Sequence, residues 1–367
     1  MSGVWDVVVA GAGPAGAVAA YTLARLGRRV LLVDEVKPEV RKVGESLPGA
    51  ARPLLRDLNL LSIVEDGSHL RSFGNVSAWG SSELAATDFI NDPHGAGWHL
   101  DRARFDAALR AAAQAASAVL QSGRVEAATV TDDGWQIALT GEAISARWLI
   151  DATGRRALVA RTQNVRRQRD DSLVALCAWA VTPATDTDTR TLVESAPDGW
   201  WYTARLPDDT RVAVLHVEAD NAAAILHTTG AWQVHLARTT YISRALAGAS
   251  FIDEPRGAEA CGARLDQYVG NRWLATGDAA LSFDPLSSQG ILNALYTGMK
   301  AGQAVDTALS GDLGPINAYT TRLESIRAAY LNRHRLVYQT ERRWLDHPFW
   351  ARRQSSLTFQ NRYDRSK

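Results

Sequence analysis

The chain has 367 residues, 46% of them hydrophobic, and forty basic side chains balance forty acidic ones. That is enough apolar material for two lobes at roughly 150 residues each, and a zero net charge argues against nucleic acid or an acidic membrane as a general partner. Cys177 and Cys261 lie far apart with neither disulfide nor metal-ligand spacing, so no metal and a reducing, cytoplasmic location are expected.

Trp5 to Ala10 reads as a buried parallel strand, Gly11-Ala12-Gly13-Pro14-Ala15-Gly16 as a glycine turn, and Ala17 to Gly27 as a helix. A strand that ends in G-x-G-x-x-G and opens into a helix puts bare N–H groups at the helix's positive end, where a pyrophosphate can sit. The next strand, Arg29 to Val33, ends at Asp34 and Glu35; Asp34 lies 23 residues past Gly11, the offset at which an acid reaches the adenosine ribose hydroxyls and disfavours a 2′-phosphate. The apolar run Val7 to Ala24 imitates a signal or membrane segment. Asp6 precedes it and three glycines and Pro14 interrupt it, so no transmembrane segment is expected.

Arg41 to Pro48 is a polar turn leading into a helical pattern through Leu54, Leu55, Leu58 and Leu61, and residues 70–98 read as short strands with turns. Asp101 to Leu109 starts a helix with Phe105 and Leu109 on its apolar stripe. Val119 to Val130 and Trp135 to Leu139 form a predicted hairpin turning at Asp132-Asp133-Gly134, and Arg147 to Gly154 is a buried strand ending in D-A-T-G. From Ser172 to Gly257 the texture is β, with strands at Leu173 to Val181, Thr189 to Glu194, Gly199 to Pro207 and Arg211 to Glu218, then a helix from Ala231 to Leu246. Asn271 to Ala280 is a strand ending in G-D, and Phe283-Asp284-Pro285-Leu286-Ser287-Ser288-Gln289-Gly290-Ile291 opens the next helix. A long helix after Pro315 places Ile316, Tyr319, Leu323, Ile326, Tyr330, Val337 and Trp344 on one face. Residues 316–367 hold eleven Lys/Arg against four Asp/Glu, which suits a solvated face or a surface where a carrier or substrate protein docks.

The glycine turn, the G-E-S-L-P turn at Gly44 to Pro48, the R-x-x-F-D-x-x-L helix at Arg102, D-A-T-G at Asp151 and G-D followed by P-x-x-x-Q-G at Gly277 to Gly290 together resemble the flavin monooxygenase, geranylgeranyl-reductase and tryptophan-halogenase superfamily. With the tail Glu341 to Arg353, the likeness is strongest to the branch of LodB-like flavoproteins that help build tryptophylquinone cofactors. The resemblance implies an α/β fold of the p-hydroxybenzoate-hydroxylase kind, with a Rossmann-like FAD-binding domain, an inserted antiparallel β-sheet substrate domain and C-terminal helices. The expected boundaries are 1–70, 99–165 and 262–315 for FAD, 71–98 and 166–261 for substrate, and 316–367 for the C-terminal helical region. It implies non-covalent FAD held by Gly11, Ala12, Gly13, Pro14, Ala15, Gly16, Asp34, Glu35, Arg41, Glu45, Ser46, Arg102, Val125, Ala152, Gly154, Gly277, Asp278, Pro285, Ser288, Gln289, Gly290 and Ile291. Arg102 has an alternative role as a helix salt bridge to Asp106.

The same resemblance implies an FAD-dependent monooxygenase that takes electrons from NADH, NADPH or an externally reduced flavin, forms a C4a-hydroperoxide, and oxygenates an electron-rich aromatic substrate, small or peptidyl. A halogenase, an isoprenoid reductase and a maturation factor for a tryptophylquinone enzyme are the alternatives. Matching the halogenases' tryptophan to Trp79 puts Arg71 where they keep a catalytic lysine and Ser287 where they keep a glutamate, and a guanidinium cannot replace a nucleophilic amine. Trp79, Trp200, Trp201 and Tyr202 are candidate walls for a planar substrate, with core filling as their alternative role. His216 is a candidate base and Arg71 a weak catalytic candidate; His99 is a lesser one.

Overall fold

A computed structural model describes residues 3–35 and 41–355; residues 356–367, part of the expected basic docking surface, lie outside the described residues. The elements of the N-terminal part are β1 (Trp5–Ala10), α1 (Pro14–Arg25), β2 (Val30–Asp34), β3 (Gly74–Ala78), β4 (Ala85–Asp88), α2 (Arg102–Ala115), β5 (Val119–Ser122), β6 (Val125–Thr131), β7 (Gly134–Leu139) and β8 (Glu142–Asp151). There follow β9 (Leu173–Val181), β10 (Thr191–Ala196), β11 (Gly199–Arg205), β12 (Thr210–Glu218), α3 (Ala219–His227), α4 (Ala231–Ala237), α5 (Tyr241–Ala245), β13 (Trp273–Ala275), α6 (Gly290–Leu309), α7 (Gly314–Thr340) and α8 (Pro348–Ser355). No helix among the described residues is long and apolar enough to cross a membrane.

The first unit comprises the chain up to Asp66, Arg102–Asp170 and Gly262–Ala328. Its parallel core runs in the order β13-β8-β1-β2-β5. Val7, Val8 and Val9 are completely buried at its centre, as the uninterrupted apolar run of a doubly covered strand requires. β8 serves two sheets' worth of pairing: its first half is antiparallel to β7, which pairs β6, and its second half is parallel to β1. α1 and α6 touch backbone to side: a Cβ on Gly298 would lie 2.3 Å from the Ala15 carbonyl oxygen, and one on Gly302 3.0 Å from that of Ala19. The expected continuous strand Val119 to Val130 is two strands, because Gly123 at φ +153° breaks it.

The second unit comprises Gly67–Asp101, Asp171–Cys261 and the chain from Ala329. Its main sheet runs β9-β12-β11-β10-β3-β4, with the short strand Ser250–Phe251 beyond β9. All pairs are antiparallel except β10 with β3. Every residue of β12 is buried, since both faces of this central strand are covered. On one face Trp201, Leu176, Leu215 and Val76 pack with Ala222, Ile225, Trp232 and Ile242 from α3 to α5.

Two expected elements differ. The helix Ala231 to Leu246 breaks after Ala237, and Glu194 of β10 accepts the amides of Thr240, Tyr241 and Ile242 at 2.7 to 2.8 Å, starting α5 afresh. A carboxylate at a helix start satisfies donors the helix itself cannot. α7 stops at Thr340, so Trp344 is not on its face. The division between the units falls inside α7, at Ala328 and Ala329, so residues 316–355 do not separate as a third region.

Candidate functional site

In the first unit the glycine turn closes because only glycine fits two of its positions. Gly11 stands at φ +99°, where a Cβ would lie 2.3 Å from the Ala152 carbonyl oxygen, and a Cβ on Gly16 would lie 1.9 Å from that of Gly11. Gly13 differs: it is extended, at φ −72° and ψ −176°, and a Cβ there would meet nothing within 4 Å. The turn opens on a cleft of about 220 Å³ lined by Ala10, Gly11, Gly13, Val33, Asp34, Glu35, Gly123, Arg124, Val125, Ala152, Thr153, Gly154, Arg156 and Leu158. Seven expected cofactor contacts thus meet in one place: Gly11, Gly13, Asp34, Glu35, Val125, Ala152 and Gly154. Asp34 accepts the Ala12 amide at 2.7 Å. The residues fit a dinucleotide: open space at Gly13, the N-terminus of α1 behind it, and two arginines, Arg124 and Arg156, with no ion-pair partner among the described residues.

Arg124 and Arg156 escaped the sequence reading; Arg124 directly precedes Val125, and Arg156 stands two residues past the D-A-T-G turn. Asp151, completely buried, accepts from the Thr153 amide and hydroxyl at 3.1 and 2.6 Å and from the Ala160 amide at 2.9 Å. It braces this turn, while burial pushes its carboxyl up against those hydrogen bonds.

The remaining expected contacts lie outside that cleft. Arg102 gives its guanidinium to Asp106 at 3.1 and 3.2 Å and to the Val43 and Gly44 carbonyls at 3.0 and 2.9 Å. The salt-bridge role is therefore present, and it fixes the loop that carries Glu45, which is buried, and Ser46, half-buried; Arg41 on the same loop is exposed. Gly277 is at φ +58°, and Asp278 is 3.4 Å from the Arg155 guanidinium, another residue missed in the sequence. Asp284 caps the turn at Pro285 by accepting the Leu286 amide at 2.8 Å. Ser288 (φ +50°), Gln289 and Gly290 are exposed at the start of α6, with Ile291 buried behind them.

In the second unit the aromatic expectation needs correction. Trp201 is 1% exposed inside the core under α3 to α5, 4.8 Å from the Trp232 ring, so it cannot wall a pocket. Trp200 points to the opposite face, as strand alternation requires, but that face is filled. Trp200 stacks on His216 at 3.6 Å, donates to the Tyr338 hydroxyl at 3.0 Å and meets Trp79 edge-on at 6.2 Å. His216 is sealed beneath it at 2% exposure and acts in packing rather than as an accessible base. Trp79 and Tyr202 are the two half-buried members. Trp79 donates to the Val337 carbonyl at 2.9 Å and packs on Trp350 at 5.3 Å.

His99 is also structural. Its ring nitrogens meet the Arg205 carbonyl at 2.9 Å and the Thr191 hydroxyl at 3.0 Å, and burial lowers its pKa to about 4. Arg71 lies over the Trp98 ring at 5.2 Å. Glu341, fully buried, is a hub that sequence reading did not find. It accepts from the Gly80 amide at 2.8 Å, the Ser195 hydroxyl at 2.7 Å and the Arg343 guanidinium at 2.7 and 3.0 Å. Burial pushes its pKa up, but these donors prevail and hold it at about 2.

A glycine-turn dinucleotide cleft on a parallel sheet, together with a second unit built on a largely antiparallel sheet, defines an FAD-dependent oxidoreductase. The tryptophan halogenase family model matches residues 83–365 and the FAD binding domain model residues 6–41. The chain belongs to the tryptophan halogenase family. It is 28% identical over 368 residues to the putative FAD-dependent oxidoreductase LodB of Marinomonas mediterranea, covering 97% of this chain and 99% of that one. Among solved structures it resembles the myxobacterial chondrochloren halogenase CndH, with TM-score 0.88, 24% identity, and coverage of 98% of this chain and 88% of that one. It also resembles QhpG, a peptidyl tryptophan dihydroxylase essential for tryptophylquinone cofactor biogenesis, with TM-score 0.77, 28% identity, and coverage of 96% and 79%.

Proposed function

We propose that the protein oxygenates an electron-rich aromatic side chain, that of a tryptophan within a polypeptide, and does not halogenate it. The observation that carries the reading is the placement of amines. The second unit has no lysine among its described residues, and where the halogenase resemblance expects one stands Arg71, lying over Trp98. The two described lysines belong to the first unit: Lys42 is paired with Asp106 at 3.1 Å, and Lys300 bonds Gln303 at 3.1 Å. Among the described residues no amine is thereby offered to hold hypohalous acid, and arginine stays charged and non-nucleophilic. The polypeptide substrate is supported by the likeness to QhpG, whose own substrate is a peptidyl tryptophan.

Bound FAD supplies the oxidation and oxygen activation, with electrons from NADH, NADPH or an externally reduced flavin. The turn Gly11 to Gly16 and the start of α1 take the pyrophosphate, with Arg124 and Arg156 adding charge; Asp34 takes the ribose. Asp278 and the start of α6 serve the flavin end, where a helix N-terminus favours negative charge. Trp79 and Tyr202 remain the aromatic candidates for contact with the substrate.

The test supplies FAD-loaded protein with NADH, a flavin reductase, oxygen, bromide and a tryptophan-containing polypeptide, and follows product mass. Gain of oxygen atoms without bromine is expected. Efficient bromination would overturn the reading.

A further inference from the structure

Strand β4 is an exposed edge of the second unit's main sheet. It pairs only with β3, and all four of its side chains are exposed. The Phe89 amide donates to the Phe73 carbonyl at 2.8 Å, which makes that facing pair the hydrogen-bonded kind. With Asn75 opposite Thr87 and Ser77 opposite Ala85, alternation along an antiparallel ladder turns the amides and carbonyls of 85, 87 and 89 inward and those of 86 and 88 outward. Among the described residues no group meets the outward amide and carbonyl of Ala86 or the outward amide of Asp88, while the Asp88 carbonyl opens the one-turn 3-10 helix Phe89–Asn91.

Large apolar side chains flank this open ladder: Leu84 is 43% exposed, Phe73 57% and Ile90 87%. Natural edge strands are guarded by shortness, charge, proline or a bulge; β4, Ala85-Ala86-Thr87-Asp88, is short and has one charged side chain, but carries neither lysine nor proline. Between Ser72 and Leu100 the chain holds Glu83, Asp88 and Asp92 and neither lysine nor arginine. The neighbouring Arg190 pairs with Asp188 at 2.9 and 2.8 Å and also lies within electrostatic reach of Asp88.

We propose that β4 is a docking edge on which an extended segment of the polypeptide substrate, alternating apolar and basic residues, adds as a further strand. The inference rests on the reading that the substrate is a polypeptide. Main-chain hydrogen bonds to the amide and carbonyl of Ala86 and to the Asp88 amide give the affinity, Leu84, Phe73 and Ile90 take the apolar side chains, and Glu83, Asp88 and Asp92 select basic ones.

Fluorescence anisotropy with a labelled Lys-Val-Thr-Val-Lys-Val peptide, against its Glu-Val-Thr-Val-Glu-Val counterpart, tests the edge on FAD-loaded protein. The basic peptide is expected to bind and the acidic one to bind at least about tenfold more weakly, roughly 1.4 kcal/mol. Ala86→Pro removes an outward amide and leaves the β3 pairing whole, so it should keep FAD content and melting temperature while weakening the basic peptide by about tenfold. Ile90→Ser is the second variant and should act in the same direction. Equal binding of both peptides, or binding unchanged in both variants, overturns the docking edge. So does dimeric wild type that becomes monomeric in Ala86→Pro, which would make the occupant a second copy of the chain. Oxygenation of a tryptophan-bearing polypeptide that persists unchanged in both variants removes the docking edge and leaves the proposed reaction standing; oxygenation of free small aromatics alone removes the reaction's polypeptide substrate.

Discussion

The Asp34 carboxylate accepts the backbone amide of Ala12 at 2.7 Å. One acid at the end of β2 therefore steadies the glycine turn from within as well as facing the cleft where a ribose would sit. Asp34→Ala is expected to weaken FAD more than loss of a ribose contact alone, by roughly 1.5–3 kcal/mol for hydrogen bonds to a charged group. Fluorescence titration of apoprotein with FAD measures it, and affinity equal to wild type would contradict the assignment.

Two glycines of the turn should separate cleanly. Gly13→Val meets no protein atom within 4 Å of its Cβ, so the protein should fold with a near-normal melting temperature and lose FAD affinity at least about tenfold. Gly16→Ala forces a Cβ to 1.9 Å from the Gly11 carbonyl oxygen and should cost about 1–3 kcal/mol of stability or more, as overpacking does. Calorimetry of apoprotein and FAD titration, run on both variants, distinguish the two effects.

His99 makes stability depend on mild acid. Its pKa is lowered to about 4 by burial, with Arg211 lowering it further and the Arg205 carbonyl and Asp188 opposing. The unfolded chain, at about 6.5, binds the proton first, so stability falls as pH drops from about 6.5 towards 4, by up to roughly 3 kcal/mol. Urea midpoints across that range should show the slope, and His99→Leu should flatten it.

Glu341 acts in the same direction at lower pH. Its carboxylate is held at about 2, so its contribution is complete above about 4.5 and is lost as pH falls towards 2. Glu341→Gln at neutral pH leaves the partly exposed Arg343 facing a neutral group and should cost about 1–3 kcal/mol, as for hydrogen bonds to a charged group. A melting temperature within error of wild type would contradict this.

Alanine at the tryptophans should divide packing from binding. Trp201→Ala empties a core site and should cost about 3–5 kcal/mol. Trp79→Ala, at a half-buried site, should cost less stability and should uncouple NADH oxidation from product, releasing more hydrogen peroxide. Thermal melts and peroxide assays give the two readouts.

The first unit was legible because its signals are local or fixed in spacing. Gly16 acts on Gly11 five residues away and Asp34 reaches Ala12 across a fixed 22-residue spacing, and the D-A-T-G and G-D strand ends announce themselves by small residues. The second unit was legible only in outline. Alternation correctly put Trp200 and Trp201 on opposite faces, but nothing local says that Tyr338 and Trp350, far along the chain, fill the face of Trp200. The Glu341 hub is invisible for the same reason: its partners Gly80, Ser195 and Arg343 come from three separate segments. Helix periodicity ran past Thr340 to Trp344, and the helix after Ala231 was drawn too long because the carboxylate that restarts it, Glu194, lies on a strand.

The close seat of α6 on α1, with Gly298 against Ala15 and Gly302 against Ala19, joins the two helices whose starts follow the first and the last of the recognised motifs. A larger residue at Gly298 would tilt both at once. Mutational histories of the two motifs should therefore be tied, each tolerated change at one constraining the other, and fragments that split the chain between Arg25 and Gly290 should reassemble through this seam before any other.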